Sequence, residues 1–189
     1  MAFENYQTKP SVVIVYTGEG KGKTSAALGL MVRSLGNNNR TAFLQFIKYW
    51  DVAEHTFIKN IQSVYRDQLF FYKGGKGFYK AGELSPRHVT QKDHHLAAQK
   101  TLQLARDLSQ TGKYQVVICD EINNAVNDGL VSKQALKNLI IKKHPSTSLC
   151  LTGRNFPTDL FDLVDITTNM TKIKHHFDQR FLANPGIDF

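Results

Sequence analysis

The chain has 189 residues, 41% of them hydrophobic and 21% charged, the composition of one soluble globular domain able to bury its own core. No apolar run approaches a membrane span, the first ten residues lack a signal peptide's apolar centre, and no repeat or low-complexity tract appears; membrane, secreted-precursor and fibrous classes are excluded and a cytoplasmic protein is expected. The formal net charge of +8 suits an anionic partner, but lysines and arginines are scattered and not interleaved with aromatics, so no nucleic-acid surface is expected.

After a ten-residue tail, Val12-Val13-Ile14-Val15 reads as a buried strand. It leads into Thr17-Gly18-Glu19-Gly20-Lys21-Gly22-Lys23-Thr24 and then a helical pattern from Ser25 to Leu35-Gly36, with Gly36 as the cap before Asn37-Asn38-Asn39. Strand, glycine-rich loop, helix is the order that holds a nucleotide polyphosphate. Glycines let backbone N–H groups converge on phosphate oxygens, and the helix N-terminus adds partial positive charge. Lys23 supplies a full charge and the Thr24 hydroxyl a ligand for Mg2+, so ATP or a relative is the expected ligand. The common pattern has a glycine where Thr17 stands; here it comes one place later, at Gly18, which tightens the loop.

Thr41 to Ile47 reads as a strand, Ala53 to Asn60 as a helix, Val64 to Tyr72 as strand-like, and Lys73 to Lys80 as a glycine-rich loop. Arg87 to Leu108 has long helical periodicity, with Leu96, Ala97, Leu102, Leu104, Ala105 and Leu108 on its apolar face. Gln115 to Cys119 is a strand ending in Asp120-Glu121. A helix capped by Ser132 runs to Lys143, a strand spans Ser148 to Leu151, a short helix Thr158 to Leu163, and a last strand Asp165 to Met170. Helices alternating with nearly continuous apolar strands predict a single α/β domain over residues 1–189. Its sheet is mostly parallel and flanked by helices, P-loop NTPase-like and RecA-like. Cys119 and Cys150 sit inside apolar runs without metal-type spacing and are expected as buried free thiols.

Strand carboxyl ends face the ligand crevice in such a sheet, so Asp120 is expected to meet the loop's Mg2+, with Glu121 either completing the outer shell or positioning substrate. Arg154, in Thr152-Gly153-Arg154-Asn155 after the next strand, either neutralises charge on a phosphate leaving group or is an ordinary turn residue. His94-His95 and His175-His176 are not natural chelating pairs, since helical neighbours diverge; His94 and His95 are expected on an exposed face.

These segments in this order resemble the P-loop type of ATP:corrinoid adenosyltransferase. The matching pieces are Tyr16 to Leu30, Gln45-Phe46-Ile47-Lys48, Gly75-Lys76-Gly77-Phe78, Asp120-Glu121-Ile122-Asn123, Leu151-Thr152-Gly153-Arg154, Lys174-His175-His176-Phe177 and Pro185 to Phe189. The resemblance implies transfer of the 5′-deoxyadenosyl group of ATP to the cobalt of a reduced corrinoid, with release of triphosphate. It implies catalytic roles for Lys21, Lys23 and Arg154 on the leaving group, a metal site from Thr24, Asp120 and Glu121, and nucleotide or corrinoid contacts from Thr17 to Ser25 (Thr17, Gly18, Glu19, Gly20, Lys21, Gly22, Lys23, Thr24, Ser25) and Asn123. Phe78 matches an aromatic that closes the lower face of the corrinoid; the family's tryptophan two places on is Lys80 here. A homodimer and a flavodoxin-type electron donor are implied as well. Two other readings stay open on the residues: a diverged ATP- or corrinoid-binding module, and a generic P-loop ATPase.

Overall fold

The period-2 alternation of the strands sorts their apolar residues onto two faces of one sheet. The computed structural model describes residues 4–77, 79 and 88–188 of the chain. Its strands are β1 (Val13–Thr17), β2 (Thr41–Gln45), β3 (Leu69–Lys73), β4 (Val116–Asp120), β5 (Ser148–Thr152) and β6 (Ile166–Asn169). All pairings are parallel and the spatial order is β3-β2-β4-β5-β1-β6. The α/β P-loop NTPase-like sheet expected from the sequence is therefore present.

Val15, Leu44, Val117, Cys119, Leu149 and Leu151 face one layer of helices. That layer comprises α3 (Gln91–Gln110) through Ala98, Leu102 and Ala105, α4 (Ile122–Asn127) through Ile122 and Ala125, and α5 (Lys133–Lys142) through Leu136, Leu139 and Ile140. The intervening residues Phe43, Ile118 and Cys150 face the opposite layer, α1 (Lys23–Gly36) through Ala27, Met31 and Leu35 and α2 (Ala53–Ile61) through Ile58. With helices on both faces, β2 and β4 are buried at every residue, which explains their unbroken apolar reading. The edge strand β6, Ile-Thr-Thr-Asn, is exposed throughout and short. Cys119 and Cys150 are buried free thiols on opposite faces of the sheet, and burial pushes both thiols up. Among the described residues no helix is long and apolar enough to cross a membrane.

Several local expectations are corrected. Gly36 is the last helical residue of α1, and the left-handed turn position falls two residues on, at Asn38 with φ 57°, where the short polar side chain is tolerated. The strand expected over Val64 to Tyr72 begins only at Leu69, because turns occupy the stretch before it. Helix α3 starts at Gln91, since Thr90 and Asp93 form a reciprocal capping box: the Thr90 hydroxyl accepts from Asp93 N–H and the Asp93 carboxylate from Thr90 N–H. On that helix Leu96 is 55% exposed rather than core. His94 is buried, its ring 5.4 Å from that of Tyr79, while His95 is exposed as expected. The six-residue helix α4 was not legible in the sequence.

The chain leaves β1 toward α1 on one face and β4 toward α4 on the other. The loops after β1, β4 and β5 thus ring one crevice at the carboxyl ends of the strands, the place where open parallel sheets take ligands.

Candidate active site

The loop between β1 and α1 is shaped by its glycines for two separate reasons. Gly18 and Gly22 have φ of 98° and 105°, and Gly22 is the residue from which α1 starts, so its N-terminus opens onto the loop. Gly18 and Gly20 also let β6 approach. A Cβ on Gly20 would lie 2.6 Å from the Met170 carbonyl oxygen, and one on Gly18 2.2 Å from Asn169 Oδ1. The Gly20 N–H donates to that Met170 carbonyl at 2.6 Å, pinning the loop to the end of β6. Thr17 points inward, its hydroxyl accepting from Phe156 N–H at 3.3 Å; it ties the loop to the segment after β5.

Lys23 is half-buried beneath the loop and donates to the carbonyls of Gly18 and Gly20, both at 2.7 Å. Burial, with the nearby Arg154 charge, pulls its ammonium below the usual lysine range. Thr24, the second residue of α1, donates its hydroxyl to Asp120 Oδ1 at 3.0 Å. Loop and acidic strand end are thus brought together as the sequence predicts. Asp120 is wholly buried and accepts further from Thr152 Oγ1 at 2.7 Å and Gln45 Nε2 at 3.2 Å.

Glu121 follows in the left-handed conformation, φ 63°, unusual for a glutamate. Its N–H donates to Thr152 Oγ1 at 2.9 Å, which turns the chain from β4 into α4. Burial and the neighbouring Asp120 charge push its carboxyl up to about 7. Thr24, Asp120 and Glu121 offer only hydroxyl and carboxylate oxygens, a donor chemistry that fits Mg2+, which takes one or two carboxylates and completes its shell with phosphate oxygens and water. Among the described residues no group of three or more His, Cys, Asp or Glu side chains converges as a metal site of its own.

Arg154 lies across the mouth of the loop, its Nε 3.1 Å from Glu19 Oε2, with both side chains more than half exposed. Three asparagines of α4 hold its turn. Asn123 Nδ2 donates to the Gly153 carbonyl at 3.1 Å, Asn124 Oδ1 accepts from Arg154 N–H at 2.6 Å, and Asn127 Oδ1 accepts from Asn155 Nδ2 at 3.2 Å. Gly153, φ 125°, admits this contact, since a Cβ there would stand 2.7 Å from Asn124 Oδ1. Asn123 is thus buried against the Arg154 turn.

Lys21 turns the other way, to the rim. Its ammonium donates to the Asp188 carbonyl at 2.9 Å, while Asp188 Oδ2 lies 3.4 Å from His176 Nε2 and Oδ1 accepts from Asn184 N–H at 2.6 Å. The tail thereby folds back on the loop, and between them lies an open pocket of about 420 Å³ lined by Lys21, Lys174, His175, His176 and Ile187 among others. Ser25 is exposed in the first turn of α1. Phe78 and Lys80 lie outside the described residues. The backbone before them, Gly74 to Gly77, is docked on the end of β2: the Gly77 N–H donates to the Ile47 carbonyl at 2.9 Å, and a Cβ on Gly75 would meet the Ile47 carbonyl carbon at 2.1 Å.

Gln45, Lys48, Glu54, His55 and Thr152 complete the polar interior and were not singled out as site residues. Lys48 pairs with Glu54, both mostly buried. Burial works against the Lys48 charge, but Asp120 and the Glu54 hydrogen bond outweigh it and hold the ammonium above its usual range. The available signal was Gln45, a polar residue closing an otherwise apolar strand.

A family model described as ATP:corrinoid adenosyltransferase BtuR/CobO/CobP matches residues 9–189. The chain is 31% identical over 179 residues to a corrinoid adenosyltransferase of a Sinorhizobium species, covering 94% of this chain and 80% of that one. A corrinoid adenosyltransferase of Pseudomonas aeruginosa is 25% identical over 179 residues, covering 94% and 83% respectively. One from Escherichia coli is 26% identical over 186 residues, covering 97% and 88%. With the shifted-glycine loop closing on an acidic strand end and a match running nearly from end to end, the chain belongs to the ATP:corrinoid adenosyltransferase family.

Proposed function

We propose that this chain transfers the 5′-deoxyadenosyl group of ATP to the cobalt of a reduced corrinoid and releases triphosphate. The observation that carries the reading is the Thr24–Asp120 hydrogen bond, which joins the phosphate loop to the acidic strand end at one point of the crevice. In the reaction the electron pair of Co(I) forms the Co–C5′ bond as the C5′–O5′ bond breaks and its pair leaves with triphosphate. A Co(I) corrinoid is a strong nucleophile, so the protein's work is placement of the two substrates and stabilisation of a highly charged leaving group.

Lys23 and Arg154 are assigned to the triphosphate, with the N–H groups at the start of α1 and the glycine loop around it. Bound Mg2+ would add positive charge on the same leaving group. Thr24 and Asp120 would hold it, with Glu121 as third oxygen donor. Asn123 acts through the Arg154 turn. Lys21, catalytic in the sequence reading, is assigned to closure of the tail over the loop, because its ammonium is engaged by Asp188. Phe78 is assigned to the corrinoid on the motif match. A homodimer and a flavodoxin-type donor are carried from the family resemblance, the latter supported by the chain's net charge of +8. The buried free thiols support a cytoplasmic setting.

The test is to mix the protein with ATP, Mg2+ and chemically reduced cob(I)alamin and follow the corrinoid spectrum and the phosphate products. Adenosylcobalamin with triphosphate is expected, and loss of one transition-state cation in Lys23→Ala should cut turnover by about 100–1000-fold. Formation of ADP and phosphate without adenosylcobalamin would instead identify an ATPase.

A further inference from the structure

Behind Asp120 runs a chain of polar groups, buried at Gln45, mostly buried at His55 and reaching solvent at Asp51, that the reaction as described does not use. Gln45 stands directly beside Asp120 in the β2–β4 register and beside Lys73 in the β2–β3 register. It is wholly buried. Its Nε2 donates to Asp120 Oδ2 at 3.2 Å and its Oε1 is 2.6 Å from His55 Nε2. The other ring nitrogen, His55 Nδ1, accepts from Val52 N–H at 3.4 Å and lies 3.6 Å from Asp51 Oδ1. Phe71 packs against the imidazole, ring centroids 5.6 Å apart. Asp51 is held in turn by Lys73 at 2.7 Å.

Between Asp120 and His55, polarity settles the direction of each bond. A carboxylate only accepts, so the Gln45 amide must turn its NH2 toward Asp120, and Glu54 Oε1 at 3.5 Å favours the same orientation. The amide oxygen therefore faces His55, whose Nε2 must carry the hydrogen. Nδ1 is then the bare nitrogen that can accept from Val52 N–H. One orientation of one buried amide thus matches one tautomer of one histidine. A flipped Gln45 would set an oxygen against the Asp120 carboxylate, and an unheld one would leave Oδ2 free to rotate away from the Thr24 side.

We propose that His55 is a positioning residue for the metal site: through Gln45 it orients the Asp120 carboxylate toward Thr24. The inference rests on Thr24 and Asp120 being the metal-binding pair. The plainer role for His55, a cap on the first turn of α2, uses only Nδ1; the Nε2 bond to Gln45 contributes nothing to that cap.

The two are separated by Mn2+ binding to the full chain with ATP present and corrinoid absent, read from the electron paramagnetic resonance signal of free Mn2+. His55→Leu should weaken Mn2+ binding by about 10–100-fold, the usual consequence of losing an outer-shell partner. ATP binding in EDTA should be unchanged. His55→Gln, which can again present an N–H to Gln45, should recover most of the Mn2+ affinity. Gln45→Met breaks the same chain from its other end and should match His55→Leu, which covers the case in which the histidine variant does not fold. Wild-type Mn2+ affinity in His55→Leu or Gln45→Met, or a His55→Gln variant no better than His55→Leu, overturns the proposal. Asp120→Asn is the control: if it too keeps wild-type Mn2+ affinity, the metal-site reading falls and takes this one with it.

Discussion

Replacing Gly20 by alanine should destabilise the protein, and replacing Gly29 should not, although both glycines belong to the loop-and-helix unit. A methyl on Gly20 would meet the Met170 carbonyl oxygen at 2.6 Å and the Thr171 carbonyl carbon at 2.9 Å. Both are backbone atoms and cannot rotate away. Restoring ordinary contact at 3.4 Å or more demands a shift of roughly 0.8 Å between loop and β6 end. That shift sacrifices the Gly20 N–H to Met170 hydrogen bond, about 1 kcal/mol, and adds overpacking of about 1–3 kcal/mol. The sum, about 2–4 kcal/mol, lowers the melting temperature of a chain of this size by about 4–16 °C. Gly29 sits inside α1, exposed, and an added Cβ there would meet nothing within 4 Å beyond the helix's own backbone. Alanine there reduces unfolded-chain entropy and should stabilise by about 0.5–1 kcal/mol, a rise of about 1–4 °C. Scanning calorimetry of the two single variants and the wild type reads both effects. A Gly20→Ala protein melting with the wild type would refute the claim that β6, rather than phosphate alone, demands a glycine at that place.

The two loop lysines should separate in the adenosylation assay. Lys23→Ala removes a cation assigned to the phosphates, whereas Lys21→Ala chiefly releases the tail, so its loss should be about tenfold or less; Asp188→Asn keeps the carbonyl that Lys21 bonds and removes only the 3.7 Å ion pair, so it should cost less than Lys21→Ala. Glu121, with its carboxyl pushed up to about 7, binds a proton in the native state that an unfolded glutamate has shed. Its contribution to stability is therefore present below the ordinary glutamate range and is lost as pH rises through 7. Metal binding should run oppositely: Mn2+ affinity rises from pH 6 toward pH 8 with proton release, and Glu121→Gln flattens that rise, as calorimetry in buffers of different ionisation enthalpy will register.

What the sequence disclosed is what is written within a few neighbouring residues. Nearly unbroken apolar runs marked β1, β2, β4 and β5 because both faces of the sheet pack into helix layers, and the loop with Lys23 and Thr24 is one contiguous motif. Helix α4 was missed because six residues give too little periodicity to read, and its asparagines bond to a turn on another strand. Ser132 was legible as a cap because its partner, Ala135, is three residues away. Thr90 caps α3 with the same spacing, but the helical reading from Arg87 runs straight through it. The partners of Asp120 escaped for a different reason. Thr152 and Gln45 reach it from β5 and β2, His55 reaches Gln45 from α2, and only the sheet order makes them neighbours. The same holds for Lys21, whose partner Asp188 lies at the far end of the chain.

The cations of the site differ in how easily they can be redirected to a triphosphate, and this gives a last prediction. Lys23 rests on two neutral carbonyls and Arg154 on an exposed carboxylate, so neither has a strong partner to give up. Lys48 is different: its partner Glu54 is mostly buried and Asp120 lies near, so separating it would strand buried carboxylates at a cost of about 3–5 kcal/mol. On the proposed assignment Lys48 should therefore stay with Glu54, leaving Lys23 and Arg154 as the cations free to turn to a nucleotide. Since an exposed ion pair is worth about 0–1 kcal/mol, Glu19 holds Arg154 back by no more than that, and Glu19→Gln should tighten ATP binding by at most about fivefold while lowering the melting temperature by no more than about 4 °C. Calorimetric titration with ATP decides it. Weaker binding in Glu19→Gln would mean that Glu19 serves the nucleotide directly, and the account of Arg154 as a cation merely parked on that carboxylate would have to be abandoned.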